Sequence, residues 1–391
     1  LALLAVALLL AMTTWFSASA VVPQLRREWD LSAGAAAWLT IAVQLGFVAG
    51  ALVSAATNLA DVASPRAVML GGALGASGAN LLLLQAPGAA WAIPLRVATG
   101  FFIAAIYPTA LKRMATWFVR GRGAALGILV GALTAGSATP HLVNALGGLD
   151  WRTVIRWTSA LTVAGGIVAV AVRDGPFPFP LAAFDPRRAR EVFANRTVRL
   201  ASLGYFGHMW ELYAMWAWFG VFFAESLESR GLAPGRTAAL ATFAVIGVGA
   251  LGCWVGGILG DRWGRTRTTA LAMALSGACC LVVGALFGAA PWLVLAVGLV
   301  WGFTVVADSA QFSTMVTELA DQSYVGTALT LQLALGFTLT VATIRLVPFL
   351  RTGLGWWWAF AALAPGPLLG TLAMARLRSL PAAARIAGGR G

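Results

Sequence analysis

The sequence predicts an all-α integral membrane protein with twelve transmembrane helices in two related six-helix bundles. Three observations carry that expectation. Of 391 residues, 60% are hydrophobic and only 10% charged, far from the balance of a soluble domain. Apolar runs of about 20 residues, enough to cross a hydrocarbon core of about 30 Å as helices, recur along the whole chain. A weak internal echo then relates the second half to the first, as Asn58-Leu59-Ala60-Asp61 stands 200 positions before Ile258-Leu259-Gly260-Asp261.

Read against their turn residues, the runs place spans at 1–22, 35–56, 67–86, 89–111, 123–145 and 153–172. A second set follows at 200–225, 237–259, 268–289, 292–316, 324–347 and 355–374. The first run ends in Ala18-Ser19-Ala20, which resembles a secretory cleavage site, but so many spans follow it that it reads as span 1. Between spans 6 and 7, Pro176, Pro178, Pro180 and Pro186 precede Arg187, Arg188 and Arg190, the composition of a linker with at most a short surface helix. The expected organisation is a bundle over 1–172, a cytoplasmic linker over 173–199, a second bundle over 200–374 and a cytoplasmic tail over 375–391.

Charge sets the orientation. Formal net charge is +13, and Lys112 is the single lysine among 27 basic residues. Eighteen of these fall on one side of the topology: Arg66, the 112–122 loop, the 173–199 segment, the 262–267 turn and the tail. Seven fall on the other, with Arg96 and Arg345 inside spans. The positive-inside rule makes the first side cytoplasmic and puts both termini there. Arginines in short loops between apolar runs are a product of membrane topology, so the charge does not point to nucleic acid. Cys253, Cys279 and Cys280 lie inside spans without metal-type spacing; neither a disulfide framework, a metal nor a cofactor is expected.

The most informative stretch joins spans 8 and 9: Gly257-Ile258-Leu259-Gly260-Asp261-Arg262-Trp263-Gly264-Arg265-Thr266-Arg267. Its glycines let helix backbones approach, and Asp261 and the arginines can pair and meet helix ends. This pattern resembles the signature loop of the major facilitator superfamily, which that family places after its second span and often repeats after its eighth. The resemblance implies a transporter working by alternating access in a bilayer, here the plasma membrane of a bacterium, the cell inner membrane, and expected to be a monomer. It implies gating roles for Gly257, Gly260, Asp261, Arg262, Gly264 and Arg265, and for Asp61 and Arg66 in a degenerate first copy that has Thr57, Ser64 and Pro65 where glycine, glycine and a basic residue are usual. By the same resemblance Asp261 works near Gly123, and Asp61 near Gly326; Gly123-Ala124-Ala125-Leu126 echoes Gly326-Thr327-Ala328-Leu329.

Polar side chains inside spans are costly, which makes each a functional candidate. In span 4, Arg96 shares a helical face with Thr99, Ile103 and Tyr107, and Arg96 with Gly100 resembles the family's span-4 motif; the arginine serves either an anionic solute or backbone carbonyls. Span 7 carries Tyr205, His208 and Glu211, the last two being neighbours on one face. Span 10 aligns Thr304, Asp308, Gln311 and Met315, and Asp308 pairs either with a solute-coupled proton or with Arg96. Span 5 contributes His141 beside Ser137. The expected substrate contacts are Arg96, Thr99, Tyr107, His141, Tyr205, His208 and Gln311, with Glu211 and Asp308 as proton carriers.

These residues support proton-coupled movement of a small organic or inorganic anion. Efflux of drugs or hydrophobic metabolites is the alternative, suited to the aromatic span 7. The drug-antiporter pattern of span 5 is incomplete, because Gly131 is followed by Ala132 and Pro140 comes nine residues later. An enzyme is not expected: His208 and Glu211 fall short of the two-histidine zinc motif. A receptor or scaffold would not need titratable groups at mid-span.

Overall fold

A computed structural model of the chain describes residues 1–57, 59, 63–118, 121–148, 150–177, 185–321 and 323–391. Helices dominate, and no strand occurs among the described residues. The first half holds α1 (Ala2–Ala11), α2 (Val22–Glu28), α3 (Ala33–Ala56), α4 (Pro65–Leu82), α5 (Ala89–Ile103), α6 (Tyr107–Ala115), α7 (Arg122–Leu146) and α8 (Trp151–Ala171). Short α9 (Ala189–Ala194) leads into α10 (Arg196–Glu228). The second half continues with α11 (Gly235–Gly247), α12 (Gly249–Trp263), α13 (Arg265–Val283), α14 (Pro291–Ala307), α15 (Ser309–Leu319), α16 (Val325–Leu354), α17 (Trp356–Ala361) and α18 (Pro365–Arg378).

Among the described residues, ten continuous or gently broken helices are long and apolar enough to cross a membrane, and a bent pair, Ala2–Thr14 with Ser19–Glu28, makes an eleventh. The 33-residue α10 is not among them. It is about 50 Å long at 1.5 Å per residue, but Tyr205, His208, Glu211 and several tryptophans dilute its apolar character. With α10 the architecture is compatible with twelve spans.

Helix starts follow local chemistry. The side chains of Ser32, Ser64, Asp150 and Asn195 accept hydrogen bonds from the free N–H groups of the first turns of α3, α4, α8 and α10. Between α12 and α13 the expected loop shrinks to one residue, because Gly264 alone takes φ +99°, a conformation other residues rarely adopt. Both helices therefore run into the signature motif.

Several spans that read as continuous are broken, among them spans 1, 4 and 10. Span 1 bends by 48° between its two parts. Span 4 tightens at residues 104–106, just before Pro108, which has no N–H to continue the helix. Span 10 breaks at Asp308, whose carbonyl accepts from Gln311 N at 2.9 Å. Each break re-aims the side chains beyond it.

At the centre the halves meet in a cluster of rings. Trp15 lies 4.9 Å from Phe47 and 5.7 Å from Phe337, Phe16 meets Trp216 at 5.7 Å, and Tyr213 meets Phe337 at 5.2 Å. Aromatic packing of this kind excludes water and closes one end of the interface.

Candidate solute cavity and gating network

A cavity of about 340 Å³ lies between the halves. It runs from the ring cluster to the end where α6, α7, α15 and α16 meet their loops. Tyr205, Tyr213, Trp216 and Phe337 form its inner wall. Lys112 and Arg122 stand near its mouth, and no Asp or Glu is among its described lining residues.

Two interfaces flank this cavity. Along α7 and α12, Gly131 faces the Ala250 backbone, Gly127 the Cys253 carbonyl and Gly257 the Gly123 carbonyl, all so close that a side chain would collide. At its end, Asp261 Oδ2 accepts from Ala124 N at 3.1 Å, and Arg265 Nη1 lies 3.3 Å from Asp261 Oδ1. Arg265 also donates to Gln311 Oε1 at 2.8 Å and to Glu318 Oε1 at 3.0 Å. Thus one buried guanidinium ties α12, α13 and α15 together, while the Asp261 carboxylate caps the start of α7. Along α3 and α16, Phe47 meets Phe337 at 4.5 Å and Arg345 Nη1 donates to Gly34 O at 3.2 Å. Toward the mouth, Ser54 and Ala55 of α3 and Gly326 and Thr330 of α16 instead line the cavity.

A family model described as the Major Facilitator Superfamily matches residues 4–337. The chain belongs to that superfamily. Among solved structures it is similar to the human organic anion transporter MFSD10 (TETRAN), with a TM-score of 0.71 and 13% identity, covering 95% of this chain and 98% of that one. It is also similar to a D-xylose-proton symporter, with a TM-score of 0.74, 14% identity and 98% of each chain covered. At such identities the likeness speaks for the fold. No curated protein matches by sequence.

The remaining sequence candidates of this transporter are divided among several places. Tyr107 and Tyr205 line the cavity. Gln311 belongs to the hydrogen-bonded network of Arg265, where its Nε2 also donates to Gly256 O at 3.2 Å and its side chain fills the space beside Gly260. Arg66 and Arg262 are exposed at the same end. Asp61 lies outside the described residues.

Arg96 and Thr99 lie inside the first half and do not line the cavity. Arg96 is fully buried; it donates to Leu39 O at 3.3 Å, to Thr14 O at 3.1 Å, to Ser17 Oγ and Asn80 Oδ1 at 3.2 Å each, and to Trp15 O. The carbonyls of Thr14 and Trp15 lie at the bend in span 1 and that of Leu39 on the neighbouring α3, so the guanidinium fork ties the bend to the helix beside it. Thr99 donates to Leu95 O at 2.8 Å. The face that Arg96 and Tyr107 share in an unbroken helix is split by the tightening at 104–106.

His208 and Glu211 also find separate partners. His208 Nδ1 is 2.8 Å from Asp308 Oδ1, at ion-pair distance but outside hydrogen-bond geometry, and Nε2 has no partner. Tyr205 and Phe312 cover the imidazole, with ring centroids at 6.1 and 5.6 Å. Asp308 thus pairs with His208 rather than with Arg96. Glu211 accepts from Ser276 Oγ at 2.9 Å, from Cys280 Sγ at 3.1 Å and from Trp301 Nε1. His141 is buried on α7 and its Nε2 has no partner.

Sequence reasoning missed Lys112, Arg122 and Glu318. The first two read only as topology signals, although Lys112 is the single lysine. Glu318 lies two residues beyond the expected end of span 10, and nothing local links it to Arg265, 53 positions away.

Proposed function

We propose that this transporter moves a small amphipathic organic anion together with protons, its arginine-rich end facing the cytoplasm of a bacterium. The observation that carries this reading is the cavity itself: aromatic and apolar along its inner wall, basic at its mouth through Lys112 and Arg122, and free of acids among its described lining residues. The anion's charge is met there and not by Arg96. A human protein of the same fold is named as an organic anion transporter, in keeping with this class.

The His208–Asp308 pair is the leading proton site. It sits behind Tyr205, at the break where α14 meets α15, next to Val306 and Ser309 of the cavity wall. A proton on the pair cancels the carboxylate charge; its loss leaves that charge facing the solute region. Glu211, held by three donors away from the cavity, is a second carrier. Proton coupling is stated in the name of the D-xylose symporter that shares the fold. Efflux of a hydrophobic metabolite is the second reading, favoured by the ring-lined inner wall.

Proteoliposomes with an imposed pH gradient test this. Aromatic carboxylates should accumulate and lipophilic cations should not; preferential accumulation of cations overturns the anion class. Replacing both Lys112 and Arg122 by Gln should weaken anion uptake about 10-fold or more, as expected for loss of a charge-assisted contact, with an unchanged melting temperature. The double variant Glu211→Gln, Asp308→Asn should lose pH-driven accumulation yet keep solute exchange. Undiminished accumulation in that variant removes both carboxylates from the coupling path.

A further inference from the structure

A second concavity, about 190 Å³, lies on the outside of the second half between α9, α10 and α16. Phe193, Val198, Phe206, Leu331 and Leu335 give it apolar walls, and Arg199 borders it. Its rim carries large exposed apolar side chains, Phe193, Leu203 and Leu335, which suit contact with hydrocarbon rather than water. The short helix forming one wall is fastened in place: Asn195 Nδ2 donates to Tyr324 Oη at 2.9 Å, Asp185 N to Thr327 Oγ1 at 2.9 Å, and Arg188 Nη1 to Ser323 O at 3.1 Å.

Charge marks one end of the groove. Arg190, Arg196 and Arg199 are exposed within two turns of it, against a single acid, Glu191, on α9. Arg199 uses one N–H on Phe193 O at 3.0 Å and has others to offer. At the floor lies Gln332, 3% exposed, whose Nε2 has no partner among the described residues. Gln332 also lines the central cavity, so one side chain is the shared wall of both spaces.

We propose that this groove holds one acyl chain of an anionic phospholipid whose phosphate pairs with Arg199 and Arg196. An apolar slot ending in a basic cluster at the membrane surface is complementary to that molecule as a whole, whereas a zwitterionic lipid brings a head-group cation beside the arginines and a purely apolar one leaves them unpaired. The lipid would brace the linker helix against α10 and α16 and press on Gln332 from the membrane side. Occupancy would then be felt in the solute cavity.

Native mass spectrometry of the detergent-purified full chain tests the assignment, with dioleoyl phosphatidylglycerol, dioleoyl phosphatidylcholine and glycerol phosphate as probes. Phosphatidylglycerol should be retained at least tenfold better than phosphatidylcholine, and glycerol phosphate not at all. Arg196→Gln with Arg199→Gln should weaken phosphatidylglycerol about 25-fold, at about fivefold per arginine. Leu335→Trp, which fills the slot from an exposed position, should weaken it as well. Equal retention of the two lipids, or binding of glycerol phosphate alone, overturns the proposal. A readout on the unaltered protein guards against variants that fail to fold. Amide exchange across 189–194 should slow in vesicles containing phosphatidylglycerol and not in pure phosphatidylcholine; identical exchange in both overturns it too.

Discussion

The two interfaces that join the halves occupy equivalent places and differ in how they close. Along α7 and α12 the backbones touch from Gly131 to Gly123, because glycines on both helices leave no side chain between them. Along α3 and α16 only Gly34, at the start of α3, faces the partner helix, through the Arg345 side chain, while Gly46 and Gly50 face Val97 and Phe101 of α5, within the same half. What remains toward α16 is Phe47 in the middle and Ser54 and Ala55 at the cavity. The first interface is therefore a fixed seam and the second a seam held by rings at one end and parted by solute space at the other. The signature motif follows the same division, complete beside the first seam and degenerate beside the second.

The largest expected effect comes from removing the prop of the ring cluster. Arg96→Ala strands the Trp15 carbonyl inside the bundle and takes one donor each from Thr14 O, Leu39 O and Asn80 Oδ1, and an orphaned buried acceptor costs about 1–3 kcal/mol. The variant should melt far below the parent or fail to fold. If instead it melts normally and loses only anion binding, Arg96 belongs to the solute and the ring-held seam needs another support.

Next comes the contrast between the seams themselves. Gly127→Val drives a branched side chain into the Cys253 carbonyl and should cost about 1–3 kcal/mol, the range for overpacking. Ser54→Val, facing the cavity, should leave the melting temperature within error. Equal losses would mean that the α3/α16 interface is packed as tightly as its counterpart.

The smallest effect sharpens the reading of the motif. Asp261→Asn keeps an acceptor for Ala124 N but loses the charge beside Arg265, which still holds Glu318. Turnover in liposomes should fall about fivefold, the equivalent of 1 kcal/mol in the balance of states, with little change in stability. Asp61→Asn, in the degenerate copy, should do less. A larger effect at Asp61 would place the stronger latch beside the ring-held seam.

Much of this architecture was legible in the chain because it depends on local quantities. Run length against bilayer thickness located most of the spans, and the glycine and aspartate spacing of 257–267 marked the family, with Asp261 beside Gly123 as the resemblance implies. Tyr107 and Tyr205, both singled out in the sequence, lie among the residues that line the cavity. Helical periodicity failed wherever a helix breaks, since a break at 104–106 or at Asp308 resets the phase on which shared faces are inferred. Only the tertiary structure decided the partners of the buried charges. Arg96 went to the bend of span 1, Asp308 to His208, Glu211 to Trp301, Ser276 and Cys280, and Arg265 to Glu318. A charge in an apolar interior must be compensated by whatever group the packing brings within about 3 Å, and that group is set by how helices far apart in sequence cross.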